Sequence, residues 1–296
     1  MMRIVVLGSG AAVPSPERGL TSIALRYEGD VFLFDCGEGT QRQMMKYKIS
    51  YSKIKMIFLS HLHGDHIFGI PGLFHTLSIE EQPRTEPLTI VGPPGTSKRI
   101  RELVGKEIPF MKIEEISEGW KADIGDVEVS AFRTAHSEKN VSFGYVFQEK
   151  EGLRFDKEKC EKLGIKGMMF KKLESEKKIA VDGKVISIEE LTYTKKGRKV
   201  VISGDTSYAG ETVKNSKDAD ILFHEATFLE DMRQKASEDF HSTAGDAARV
   251  AKEAQAKQLV LYHIGNRYRD EKEILAEASP VFENVAVAKD GMEILL

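Results

Sequence analysis

Residues 59–66 read Leu-Ser-His-Leu-His-Gly-Asp-His, which crowds His61, His63, Asp65 and His66 into six positions. The preceding run, residues 55–60, has the Ile, Met and Phe content of a strand, and residues 68–79 have helical spacing. A chain built this way must hold four imidazole and carboxylate groups at the end of a strand, where a helix begins. A single histidine is ordinarily a packed or surface residue, but packing asks for no such cluster. Neutral imidazole and carboxylate are the ligands zinc takes when no thiolate is offered. In a tight turn, His61 and His63 can face one point while Asp65 and His66 face a second. Four groups cannot close two sites, so further ligands have to arrive from later in the chain.

Three later residues repeat the same placement. His136 follows the apolar run 127–133, Asp205 follows 199–203 through Gly204, and His263 follows 259–262. Open α/β sheets build sites just beyond the C-terminal ends of their strands. Each of the three is weak alone; Asp205, for example, could simply cap the next turn. Further strands are expected at 3–7, 22–27, 31–35, 88–91 and 143–147, with helices at 38–47, 96–104 and 242–256. Strands interleaved with helices predict α/β layers, and 296 residues suit one large domain.

With 43 Lys and Arg against 46 Asp and Glu, the net charge of −3 excludes a globally basic nucleic-acid binder but not a local patch. Residues 148–200 are such a patch, with 15 basic against 10 acidic side chains. This stretch has few large apolar residues and is expected to add little core; its bland reading is a solvated insertion. No apolar run is long enough to span a bilayer, and the start lacks a signal-peptide pattern. Cys36 and Cys160 lie far apart and suggest no disulfide framework. A cytoplasmic protein is the expectation.

Taken together, Phe34-Asp35-Cys36-Gly37-Glu38-Gly39-Thr40-Gln41, the His61–His66 cluster, Ser203-Gly204-Asp205-Thr206, His224-Glu225-Ala226-Thr227 and His241-Ser242-Thr243 resemble the metallo-β-lactamase fold. Within it they resemble the ribonuclease Z family of tRNA 3′-processing endonucleases. The likeness runs from Leu7 to about Ile264. It implies a four-layer αβ/βα sandwich in one domain, residues 1–296, with residues 150–198 inserted as a small basic protruding arm. It also implies two Zn²⁺ per subunit, Mn²⁺ or Fe²⁺ being able to use the same ligands. His61, His63 and His136 would hold one ion, and Asp65, His66 and His263 the other, with Asp205 bridging. Asp35 would orient a ligand histidine through its second nitrogen. Asp65 would also take the attacking proton, His241 would protonate the leaving oxygen, and Glu225 would tune His241. Without the resemblance, Glu225 reads as an ordinary partly exposed carboxylate and His241 as the residue before a helix capped at Ser242.

The resemblance implies cleavage of precursor tRNA 3′ of the discriminator nucleotide, leaving a 3′-hydroxyl on the tRNA and a 5′-phosphate on the trailer. The basic segment would clasp tRNA through Lys166, Lys171, Lys172, Lys177 and Lys178, and a homodimer would let each arm serve its neighbour. Residues 164–170 contain no proline where the family has a Gly-Pro-rich turn, and Pro14-Ser15-Pro16-Glu17-Arg18-Gly19 only partly matches the family's loop that discriminates against mature CCA ends. Competing readings are a phosphodiesterase of the same fold acting on a small substrate, a di-iron redox domain and a catalytically silent RNA-binding scaffold. The di-iron class carries a carboxylate where this chain has His63.

Overall fold

In the computed structural model, which describes residues 2–79, 86–105, 109–137, 140–181 and 183–296, strand β1 (Met2–Gly8) is apolar almost throughout because both its faces are buried. Period-two alternation sends Ile4 and Val6 to one core and Val5 and Leu7 to another. With β2 (Ser22–Tyr27), β3 (Asp30–Phe34), β4 (Ile54–Phe58), β5 (Leu88–Gly92), β6 (Met111–Glu115) and the C-terminal β18 (Glu293–Leu295) it forms a seven-stranded sheet. The order is β18-β1-β2-β3-β4-β5-β6. A second seven-stranded sheet contains β7 (Lys121–Ile124), β8 (Val127–Arg133), β9 (Phe143–Glu149), β14 (Lys199–Ile202), β15 (Ile221–Glu225), β16 (Leu259–Tyr262) and β17 (Val285–Val287). Its order is β17-β16-β15-β14-β9-β8-β7.

Three apolar layers hold these elements together. Phe32, Phe34, Phe58, Tyr145, Phe147, Phe223 and Tyr262 meet between the sheets, with the Phe34 and Phe58 rings stacked at 5.1 Å. Leu33, Ile57 and Ile90 face the helix Ile70–Ser78 through Leu73, Phe74 and Leu77. Leu222 and Leu261 face the helix Ala244–Glu253, whose Ala247, Ala248 and Ala251 permit close approach. Each large side chain buried in this way contributes about 1.5–3 kcal/mol. Helix, sheet, sheet and helix are therefore the four layers of the expected sandwich. No helix among the described residues is long and apolar enough to cross a membrane.

Several local expectations change. The helix expected over 68–79 forms as Ile70–Ser78, with a proline in its first turn, and a separate helical turn, Gly64–Ile67, precedes it. The last long helix is capped by Thr243, whose hydroxyl accepts from Asp246 N; Ser242 Oγ instead donates to Thr206 O. Strand β15 escaped the sequence reading because its final His-Glu pair reads as loop. Ile221 and Phe223 face one core and Leu222 another, as in a strand buried on both sides.

Residues Gln148–Arg198 form a separate compact unit. Here β10 (Gly152–Phe155) pairs with β13 (Thr192–Lys195), and β11 (Lys178–Val181) with β12 (Lys184–Ser187). The expectation of little core is corrected: Cys160, Ile165, Leu173, Ile179, Ile186, Ile188 and Leu191 pack into a small core of their own. Single apolar residues spaced among lysines suffice because each element needs only one inward face. Where a Gly-Pro-rich turn was missing, Gly164 and Gly167 take positive φ on either side of buried Ile165. Glu149 accepts two guanidinium bonds from Arg198 near the ends of the unit.

Candidate metal centre

Parallel pairing brings the strand ends into register. Phe34 sits beside Phe58, Ile202 beside Phe223, and Glu225 beside Tyr262. The residues that follow these positions, Asp35, Ser60–His66, Asp205 and His263, therefore emerge at one rim. Three of the turns are conformationally demanding. Asp35 and His263 adopt φ of 58° and 53°, and Gly204 before Asp205 has φ of 62° with Phe143 O close by. Non-glycine residues held in the left-handed region cost free energy and concentrate at functional sites.

The seven sequence-derived ligand candidates converge in three overlapping groups, His61–His63–His136, His61–His66–Asp205 and Asp65–His66–His263, and two more, His136–Asp205–His241 and Glu225–His241–His263, bring His241 against them, with ligand atoms of each within 4.8 Å of one another. Asp205 Oδ2 lies 3.3 Å from His66 Nε2, 3.6 Å from His61 Nε2 and 3.9 Å from His136 Nε2. Its Oδ1 lies 3.4 Å from His263 Nε2. This one carboxylate touches both ends of the cluster. All seven sequence-derived candidates thus meet.

The outward nitrogens explain why the cluster faces inward as it does. His66 Nδ1 donates to Asp35 Oδ2 at 2.8 Å, and His136 Nδ1 donates to Phe240 O at 3.1 Å. Ser60 Oγ gives its proton to Asp35 and accepts from His61 Nδ1 at 3.0 Å. Thr227 Oγ1 gives its proton to Glu225 Oε2 and accepts from His263 Nδ1 at 2.8 Å. With Nδ1–H spent outward, each of these four rings turns an Nε2 lone pair toward the centre. His66 Nε2 and His263 Nε2 face each other at 3.2 Å. His61 Nε2 and Asp205 Oδ1 are buried with no hydrogen-bond partner among the described residues. Buried polar atoms left this way are costly, and a divalent cation between them is the chemistry that nitrogen and carboxylate donors fit. Burial pushes the His61 imidazole well below its ordinary value, with neighbouring His66 adding to the effect. Burial also opposes charge on Asp205, but His263, His66 and His61 outweigh it and hold the carboxyl well below the usual range.

Beside the cluster, Glu225 is fully buried, which corrects its reading as a partly exposed carboxylate. It accepts from His241 Nδ1 at 2.7 Å, from Thr206 N at 2.9 Å and from the Thr227 hydroxyl at 2.7 Å. Burial alone would lower His241; the Glu225 carboxylate against it lifts the imidazolium to about 9. The His241 ring lies 4.8 Å from that of His136 and 5.5 Å from that of His263. Nδ1 belongs to Glu225, so Nε2 is the ring nitrogen turned away from that carboxylate.

Sequence reading missed Ser60, Thr227 and the backbone N–H of Ala12, which donates to Asp65 Oδ2 at 2.9 Å. Their only local signal is adjacency to the motifs. In the 14–19 loop, Arg18 turns inward, its Nη1 donating to Ser9 Oγ and to Ala288 O. The five candidate lysines, at 166, 171, 172, 177 and 178, are exposed on the separate compact unit.

Comparisons with known proteins show the family. A family model described as anti-Pycsar protein Apyc1 matches residues 2–175, and a beta-lactamase superfamily domain model matches residues 182–264. Ribonuclease Z of Methanosarcina acetivorans is 40% identical over 99% of this chain and 98% of that protein. Ribonuclease Z of Methanothermobacter thermautotrophicus is 42% identical over 99% of this chain and 96% of its own length. Among solved structures, the short form of human tRNase Z superposes with a TM-score of 0.69 at 33% identity, covering 99% of this chain and 98% of its own. The metallo-β-lactamase fold protein YhfI of Bacillus subtilis, at 21% identity and a TM-score of 0.74 with both chains covered completely, shares the fold. The Apyc1 match ends before Asp205, Glu225, His241 and His263, whereas the ribonuclease Z relatives span the full set. The chain belongs to the ribonuclease Z family of the metallo-β-lactamase superfamily.

Proposed function

We propose that this chain is a metal-dependent endoribonuclease that cuts precursor tRNA 3′ of the discriminator nucleotide, leaving a 3′-hydroxyl on the tRNA and a 5′-phosphate on the trailer. The observation that carries the reading is the Glu225–His241 pair packed against seven convergent ligand groups. His61, His63 and His136 would hold one Zn²⁺ and Asp65, His66 and His263 the other, with Asp205 shared; Mn²⁺ or Fe²⁺ suits the same donors. Bound there, the cations would supply the positive charge that activates water and neutralises a phosphodiester in its transition state.

The chain's own residues do the rest. Asp65, fixed by the Ala12 N–H, takes the proton of the attacking water. Asp35 keeps His66 in its Nδ1–H tautomer, and Thr227 does the same for His263. His241, kept protonated by Glu225, gives its Nε2 proton to the departing 3′-oxygen. We place the enzyme in the cytoplasm as a homodimer of single metallo-β-lactamase domains, with residues 150–198 as the tRNA-binding arm.

Incubation of the purified protein with a 3′-extended precursor tRNA, followed by end mapping, tests the reading. A cut at the discriminator is expected. An uncut precursor alongside rapid hydrolysis of small phosphodiesters would favour the rival phosphodiesterase of the same fold. The arm makes a separate claim. Changing Lys166, Lys171, Lys172, Lys177 and Lys178 together to Gln should weaken tRNA binding and flatten its salt dependence, by roughly 0.7–0.9 in slope for each phosphate no longer neutralised. Identical binding curves at several salt concentrations would leave tRNA recognition to other surfaces.

A further inference from the structure

Two cavities adjoin the ligand cluster, one at each end. The larger, about 450 Å³, is lined by His241 and Gly265, by Ala12, whose N–H donates to Asp65, and by Thr227, which accepts from His263. The smaller, about 180 Å³, lies at the other end, where His61, His63 and His136 meet Pro93, Pro94 and Val141. The chemistry proposed above gives these cavities a polarity. Water adds to phosphorus and yields its proton to Asp65. The phosphorus–O3′ bond breaks, and the 3′-oxygen leaves with the proton from His241. The nucleotide owning that oxygen, the last of the tRNA, therefore sits in the cavity that His241 lines. The trailer keeps the phosphate on its 5′-oxygen and has the smaller cavity ahead of it.

Beyond that cavity, Pro93 and Pro94 lead directly into the helix Thr96–Val104, which carries Lys98, Arg99 and Arg101. The Arg99 guanidinium stands 6.0 Å from the centroid of the Phe68 ring. Phe68 is 47% exposed, although it follows the ligand His66 by only two residues. Its ring lies directly over Gly64, where an added Cβ would collide with it, so the metal turn itself holds the ring at the rim. Glu102, 3.7 Å from Arg99, forms an exposed pair that constrains the guanidinium little. A solvent-facing aromatic ring beside a guanidinium is the arrangement that stacks bases of single-stranded nucleic acid without regard to sequence.

We infer that the single-stranded trailer leaves along this face, with its first base in the Pro93–Pro94–Val141 cavity and its next base stacked on Phe68 beside Arg99. The inference rests on the function proposed above. It adds a trailer subsite whose grip is by stacking, so trailers of any sequence are accepted.

Single-turnover cleavage of precursor tRNAs that are abasic at the second trailer position, or at the discriminator, tests it against unmodified precursor. In the wild-type protein the trailer lesion should lower kcat/KM by roughly tenfold or more, the worth of one base stack. Phe68→Leu keeps apolar bulk but removes the ring, and should erase most of that penalty. Arg99→Gln changes an exposed side chain, so it carries the test if Phe68→Leu fails to fold, and it should shrink the penalty at least several-fold. The discriminator penalty should persist in both variants. A trailer penalty that is absent in the wild type, or equal in all three proteins, overturns the inference alone. Variants that erase the discriminator penalty instead reverse the polarity and also overturn it. Failure to cut any precursor tRNA removes the functional reading and this inference with it.

Discussion

Asp205→Ala is expected to empty or scramble both metal positions and take phosphodiester cleavage below detection. The carboxylate lies within 3.9 Å of nitrogens from His61, His66, His136 and His263. Among the described residues it is the carboxylate that faces both triads, and as the proposed shared ligand it would set their spacing. Its removal leaves the buried imidazoles of His61 and His136 without a carboxylate beside them, while Asp65 still faces His66 and His263, a burial of polar groups that is poorly satisfied. Asp205→Asn keeps the volume and one oxygen, so it separates the loss of charge from the loss of packing. Elemental analysis of each variant gives the metal content, and cleavage of a small phosphodiester gives the chemistry free of tRNA binding. An alanine variant with two metals per chain and full turnover would sink the shared-ligand assignment. Chelation of the wild-type protein should lower its melting temperature, because whatever binds only the folded state stabilises it.

His241→Ala should retain metal and tRNA binding while slowing the chemical step by roughly 10²–10⁴-fold, the range of general acid–base catalysis. The ring is anchored through Nδ1 to a fully buried carboxylate and hangs beside His136 and His263, so under the proposed roles its loss removes the proton donor and leaves the seven proposed ligands in place. Glu225→Gln probes the same device differently. An amide cannot hold the proton on His241 as the carboxylate does, so the folded-state pKa of His241 falls from its raised value. The acid is active only while protonated. The basic limb of the kcat profile should therefore move to lower pH in this variant, a shift that a purely structural role for Glu225 would not produce. Unchanged single-turnover cleavage in His241→Ala would reduce His241 to the residue before a helix.

The strand ends were legible because their signal is short-range. The dense cluster His61, His63, Asp65 and His66 could be picked from local context; His136, Asp205 and His263, each weak alone, could be picked by their shared place after an apolar run. Glu225 could not. Its strand ends in two polar residues, and polarity reads as exposure until the neighbours that bury it are known. The basic segment misled for the opposite reason: charge dominates its composition, yet isolated Ile and Leu residues at one face of each element close a core.

What the sequence determined by itself was therefore α/β layering, through strands interleaved with helices, and the kinds of donor at the rim; the four-layer order came with the family resemblance. Only the tertiary structure decided which nitrogen of each histidine faces the centre. That choice depends on hydrogen-bond partners far away in the chain. Asp35 is 31 residues from His66, Thr227 is 36 from His263, and Phe240 is 104 from His136. A side chain's tautomer and orientation follow from groups within about 3 Å in space, and no window of local sequence contains them.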